Sequence, residues 1–230
     1  VRVFVDANIL YSKTIRDWLF AFSTCDIKPF DLYSSEDVFA ETVYHLRRNN
    51  PTISGDRVAA ALSQMRELVT IVPSYNCEEE QSRYLGADAN DLHLHAATVA
   101  SDCDVLLTND SKIYANLNED ERSQLPYSIY TADEFFVALA ETSAVLLDQA
   151  VTCELNYWSR RFADGVTDLE TPLLNAGCAN FAFLTKRALM RKSGLSPIRI
   201  NDMLPLDERY SKELRANAVA DLELMSDDFC

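Results

Sequence analysis

The sequence predicts an α/β fold: a three-layer α/β/α sandwich built on a parallel sheet of about five strands, followed by a helical C-terminal extension. Short apolar runs alternate with segments of helical periodicity through residues 1–142. Two of those runs, Val3-Phe4-Val5 and Val105-Leu106-Leu107, are apolar at every position, as strands buried on both faces of a parallel sheet are. From residue 143 to residue 230 the strand-like runs stop and only helix-like segments remain.

The first strand is Val3-Phe4-Val5, ending at Asp6, and residues 9–22 read as one helix. Residues 30–33 give a second strand. Ser34, three positions before Asp37, reads as a helix start. That helix runs to about Arg48 with Phe39, Val43 and Leu46 facing inward, and Asn49-Asn50-Pro51 ends it. Residues 56–67 form a further helix, and residues 69–72 a third strand stopped by Pro73. Asp88 to Asp91 open a helix with Leu92, Ala96 and Val99 on one face. The fourth strand, Val105-Leu106-Leu107, runs into Thr108-Asn109-Asp110. Residues 128–130 make a fifth, ahead of a capping box between Thr131 and Glu134 and a helix over 135–139. In the extension, Gly177 and Gly194 are helix stops. Leu206, Tyr210, Leu214, Ala218 and Leu222 recur every fourth residue, the pattern of a docking helix.

Hydrophobic residues at 48% and charged residues at 25% support a sizeable core. No apolar run approaches the roughly 20 residues of a membrane span. The opening residues read as a strand rather than a signal peptide. Cysteines at 25, 77, 103, 153, 178 and 230 are too far apart for a zinc ribbon or redox pair, so reduced thiols and a cytoplasmic location are expected. Net charge is −15, which excludes nucleic-acid binding by the overall field. The charge is uneven. Residues 1–150 hold 11 basic and 24 acidic side chains, whereas residues 171–201 hold five basic side chains (Lys186, Arg187, Arg191, Lys192, Arg199) and no acidic one.

Ligands of open α/β sheets bind at the carboxyl ends of the strands. Asp6 and Asp110 follow strands, Asp91 lies at a helix start, and Glu41 is one turn into a helix, so these four acids can meet at one sheet edge. Two carboxylates 4 Å apart repel by about 4 kcal/mol at an effective dielectric near 20, and a divalent cation reverses the sign. Hard oxygen donors select Mg²⁺ or Mn²⁺. Phosphodiester hydrolysis is the chemistry suited to such a centre.

The segments Val3-Phe4-Val5-Asp6-Ala7-Asn8-Ile9-Leu10, Glu41 after Ser34-Ser35, Asp88-Ala89-Asn90-Asp91-Leu92-His93 and Leu107-Thr108-Asn109-Asp110 resemble the PIN domain in order and spacing. The resemblance covers about residues 1–140, and the Arg16-Asp17 pair is similar to a bacterial subgroup. Residues 168–184, with Gly177-x-x-x-Phe181-Ala182, resemble that subgroup's helical tail. The resemblance implies a PIN-like nuclease domain over 1–142 that cleaves single-stranded RNA with Mg²⁺ or Mn²⁺, and often a toxin role beside an antitoxin protein. Asp6, Glu41, Asp91 and Asp110 then take the family's metal-binding and catalytic places.

Each assignment has a plainer rival. Asp6 can cap a first turn, Asp110 can belong to an ordinary turn, Asp91 can serve the helix dipole, and Glu41 can be a surface acid. Asn8, Thr108 and Asn109 suit water or substrate positioning, or local turn bonds. Arg16 suits a phosphate or an ion pair. His93 and His95 point to different helix faces and read as structural, although the resemblance puts a histidine at 93. Lys186, Arg187, Arg191 and Lys192 suit RNA phosphates, or they favour a helix C-terminus while the extension packs or forms a homodimer. The rival for the whole chain is a catalytically inert PIN-fold interaction module. A receiver-like phosphoryl-transfer domain fits less well, since it would place an Asp pair after the first strand.

Overall fold

β1 (Arg2–Val5) buries Val3, Phe4 and Val5 completely, and β4 (Val105–Leu107) is buried at every position. Such strands are stable only with both faces covered, and they lie side by side within the sheet. Val3 pairs with Val105 and Val5 with Leu107, in parallel. β2 (Asp31–Ser34) flanks β1 on its other side and β3 (Val69–Ile71) lies outside β2, while β5 (Ser128–Tyr130) pairs with β4. The order is β3-β2-β1-β4-β5, all parallel, an α/β sheet of the expected kind. This is a computed structural model, and it describes residues 1–113, 116–160, 168–207 and 210.

The helix expected over residues 9–22 is two. α1 (Ala7–Tyr11) stops at Ser12, whose backbone is extended, and α2 (Lys13–Ser23) starts afresh. The apolar spacing runs straight through the break because Ile9, Leu10, Ile15, Trp18, Leu19 and Phe22 are all buried. α3 (Glu36–Asn49) is capped by Ser35, whose hydroxyl accepts from Val38 N at 3.3 Å. Ser34 instead closes β2 and donates to the Val5 carbonyl at 3.0 Å. The inward face of α3 is Val38, Phe39 and Thr42, while Val43 and Leu46 are half-buried. α4 (Gly55–Leu68) leads into β3. α5 (Cys77–Glu80) and, later, α7 (Glu119–Ser123) are short acidic helices with no sequence periodicity to announce them. A 3₁₀ turn (Ala89–Asp91) precedes α6 (Leu92–Ala100), which packs on α5. α8 (Ala132–Thr142) begins with the expected capping box: Glu134 accepts from Thr131 N at 2.8 Å, and Glu134 N donates back to the Thr131 hydroxyl at 3.2 Å.

The chain clusters into two compact units, Val1–Phe135 and Phe136–Cys230, dividing inside α8 a little before residue 142. The second holds α9 (Ala144–Ser159), α10 (Glu170–Asn175), α11 (Ala179–Lys192) and α12 (Pro197–Met203) around buried Val151, Leu173, Phe181 and Ala188. Gly177 and Gly194 do end α10 and α11, with φ of 81° and 86°. Behind them Cys178 N reaches Leu173 O at 2.9 Å and Leu195 N reaches Met190 O at 3.1 Å, the left-handed caps a Cβ would strain. The docking helix expected from Leu206 onward lies almost wholly outside the described residues. Among the described residues no disulfide joins Cys25, Cys77, Cys103, Cys153 or Cys178, and no helix is long and apolar enough to cross a membrane.

Candidate acidic centre

From β1 the chain steps outward to β2 and β3, then comes back to the other side of β1 for β4 and β5. The segments leaving β1 and β4 therefore part at the point where strand order reverses, the position at which open α/β sheets bind ligands. Asp6 leaves β1 there, and Thr108-Asn109-Asp110 leave β4. Asp6 N donates to Leu107 O at 3.1 Å, which continues the β1–β4 pairing one residue beyond β1.

The Asp6 carboxylate is 4% exposed. Its Oδ1 accepts from Ala7 N at 2.5 Å, so it does cap α1. Its Oδ2 accepts from the Thr108 hydroxyl at 2.6 Å and from the Asn8 amide. The Thr108 oxygen in turn accepts from Asp110 N and from Asn8 Nδ2, each at 3.0 Å. Asn8 Oδ1 accepts from Asn109 N at 2.9 Å, and Asn109 Oδ1 accepts from Ala132 N at 2.9 Å. Asn8, Thr108 and Asn109 are thus more than turn formers. They tie the end of β1 to the end of β4 and to the first residue of α8.

Burial pushes the Asp6 carboxyl up to about 6 against the pull of the Thr108 and Ala7 donors, and the charges of Glu41 and Asp91 add to the rise. Asp91, half-buried, is likewise pushed up to about 6, by burial first and then by Asp88, Asp110 and Glu41, with His93 opposing. Asp88 takes the capping role, accepting from Asn90 N at 2.9 Å, and Asp91 makes no cap bond. Asp110 Oδ1 accepts from Lys112 N at 2.9 Å. Glu41, on the exposed side of α3, faces His45 Nε2 at 3.4 Å. Asp6 therefore feels Glu41 and Asp91, and Asp91 feels Asp110 and Glu41. Two neighbouring tyrosines register the same field. Tyr11 is raised by burial, Asp6, Glu41 and Asp110, and Tyr84 is pushed up to about 12 by burial, Asp91, Asp88 and Asp110.

As the side chains stand, no group of three or more His, Cys, Asp or Glu among the described residues is drawn together closely enough to hold a metal. Mutual repulsion and existing bonds account for that: Asp6 answers three donors, Asp110 answers Lys112 N, and Glu41 leans to His45. The donor chemistry does fit Mg²⁺ or Mn²⁺. It is made of hard carboxylate oxygens, two of them on groups that burial and like charges make reluctant to ionise, and a divalent cation would offset both penalties.

Other expected residues have local work. Arg16 Nη1 donates to the Leu10 carbonyl at 2.6 Å, which satisfies an open acceptor near the end of α1. His93 Nδ1 lies 2.7 Å from Asn90 O. His95 is buried between Tyr127 Oη, 2.8 Å from its Nδ1, and Glu80, 3.5 Å from its Nε2; burial lowers its pKa. In the helical unit Lys186 meets Glu170 at 3.0 Å, and Arg187 donates to Leu204 O and to Asn201 Oδ1. Arg191 approaches Asp148 at 3.7 Å, and Lys192 donates to Thr152 at 2.8 Å. Sequence reading passed over Tyr11, Tyr84 and His45. The signal for His45 was its spacing, four residues after Glu41 on one helix face.

No known protein family, no curated protein and no solved structure matches the chain.

Proposed function

We propose that the chain is a metal-dependent endoribonuclease of the PIN-domain kind, with Asp6, Glu41, Asp91 and Asp110 as metal-binding and catalytic residues. One observation carries the reading: the Asp6 carboxylate sits where strand order reverses and is pushed up to about 6, by burial first and in smaller part by Glu41 and Asp91. Perturbed acids at the carboxyl ends of parallel strands are candidate functional sites. Bound Mg²⁺ or Mn²⁺ would supply an activated water and neutralise charge on the phosphate. The protein's part is positional. Thr108 and Asn8 hold one oxygen of Asp6 and Ala7 N holds the other, so Asp6 meets a cation in one orientation. Asp110 is held by its own N–H on Thr108 and by Lys112 N on its carboxylate. A toxin role beside an antitoxin, a cytoplasmic setting and homodimerisation belong to the same proposal.

A second reading, an inert PIN-fold interaction module, draws on the lack of a ready donor trio among the described residues. A cleavage assay separates the two. Single-stranded RNA should be cut with Mg²⁺ or Mn²⁺, not in EDTA, and not by Asp6→Asn. RNA left intact by the wild type across both metals would leave the inert module.

A further inference from the structure

An acidic chain that cuts RNA needs a means of holding the strand that does not depend on charge. Three aromatic rings stand beside the acidic centre, and the catalytic reading uses none of them. His45 is tied to the centre through Glu41, 3.4 Å from its Nε2. Its imidazole stacks on the Tyr11 ring with centroids 4.7 Å apart and planes 28° apart. Tyr44 meets the same imidazole edge-on, at 5.2 Å and 81°. Tyr11 closes α1, immediately after the segment that carries Asp6, and Tyr44 and His45 sit on α3 one turn beyond Glu41. Tyr44 leaves 60% of its surface in water, and little of its ring is needed for the core. The Tyr11–His45 stack fixes the imidazole on which Tyr44 rests, so the exposed ring is pre-oriented rather than free.

Resting on the nuclease reading for its setting, the geometry points to an aromatic ledge, Tyr44 backed by His45 and Tyr11, on which an unpaired base of the RNA strand stacks as its phosphate enters the acidic centre. Base stacking on aromatic side chains tolerates any sequence and requires no positive charge, which suits a chain of net charge −15. It also requires the base to be unstacked from a partner strand, so the ledge selects single strands over duplex.

The test uses the full chain and a short single-stranded RNA carrying 2-aminopurine, whose fluorescence is quenched on stacking. Calcium replaces magnesium, and the strand is checked for integrity afterwards. Wild-type protein should quench the probe. Tyr44→Ala should abolish the quenching and weaken binding about tenfold, Tyr44→Trp should restore both, and an abasic strand should not distinguish wild type from Tyr44→Ala. Unchanged circular dichroism of Tyr44→Ala guards against a folding defect. RNA cut by the wild type while Tyr44→Ala quenches as strongly would overturn the ledge and leave the nuclease standing. Tyr44-dependent quenching by a wild type that never cuts would keep the ledge and remove the nuclease. No quenching by the wild type overturns the ledge outright.

Discussion

Asp6 in the sheet unit is buried and Arg187 in the helical unit half-buried, and the chain treats these two charged side chains in opposite ways. Arg187 is given a carbonyl and a side-chain amide oxygen, and its neighbours Lys186, Arg191 and Lys192 each find an acid or a hydroxyl nearby. Among the described residues, Asp6 receives hydrogen bonds, and the charges that act on it are those of Glu41 and Asp91. Where charge serves the fold, it is neutralised locally. Where it is left among like charges and held in one orientation, it is the feature on which the proposed metal site rests.

The largest effect that can break this contrast is on stability against pH. The folded pKa of Asp6 lies above its unfolded value, so the folded state holds the proton more tightly. The stability this confers is present below about pH 4 and is lost as pH rises through about 6. A rise from 3.8 to about 6 corresponds to about 3 kcal/mol. Asp91 acts in the same direction and more weakly, being partly exposed. Urea unfolding in EDTA should show the wild type losing this stability across that window, while Asp6→Asn should be flatter. Parallel pH profiles for the two proteins would mean that the Asp6 charge is compensated after all.

A smaller effect sharpens the other half. Arg187→Gln should destabilise the protein by about 1–2 kcal/mol, because it removes the charged hydrogen bonds to the Leu204 carbonyl and the Asn201 oxygen. Lys186→Gln and Lys192→Gln, at partly exposed pairs, should stay within about 0.5 kcal/mol. If the four basic residues replaced together flatten the salt dependence of RNA binding without loss of stability, the stretch serves substrate and the contrast fails.

What could be read in advance follows the strength of the local signal. β1 and β4 were legible because three consecutive apolar residues in each leave no face for water. The positions of Asp6 and Asp110 beyond the ends of β1 and β4 were legible because each follows a run of apolar residues. The break at Ser12 was not, since burial of Leu10 and Ile15 keeps a helical spacing across two helices. The cap of α3 slipped by one residue because Ser34 and Ser35 are chemically alike, and only the Val5 carbonyl decides between them. Tyr11, Tyr44 and His45 were hidden for a different reason: on helices, aromatic residues read as core, and the ring contacts linking α1 to α3 are tertiary. The intramolecular partners of the basic stretch, Glu170 and Asp148, were not legible because they lie outside it in sequence.

The central claim, that the uncompensated acids await a divalent cation, is tested most directly by titrating Mn²⁺ into metal-free protein in a calorimeter. Saturable binding should appear for the wild type, releasing protons near pH 6 because Asp6 and Asp91 are pushed up to about 6 in its absence, and it should vanish in Asp6→Asn. A wild type that shows no saturable heat, or an Asp6→Asn variant that binds Mn²⁺ as tightly as the wild type, would contradict it.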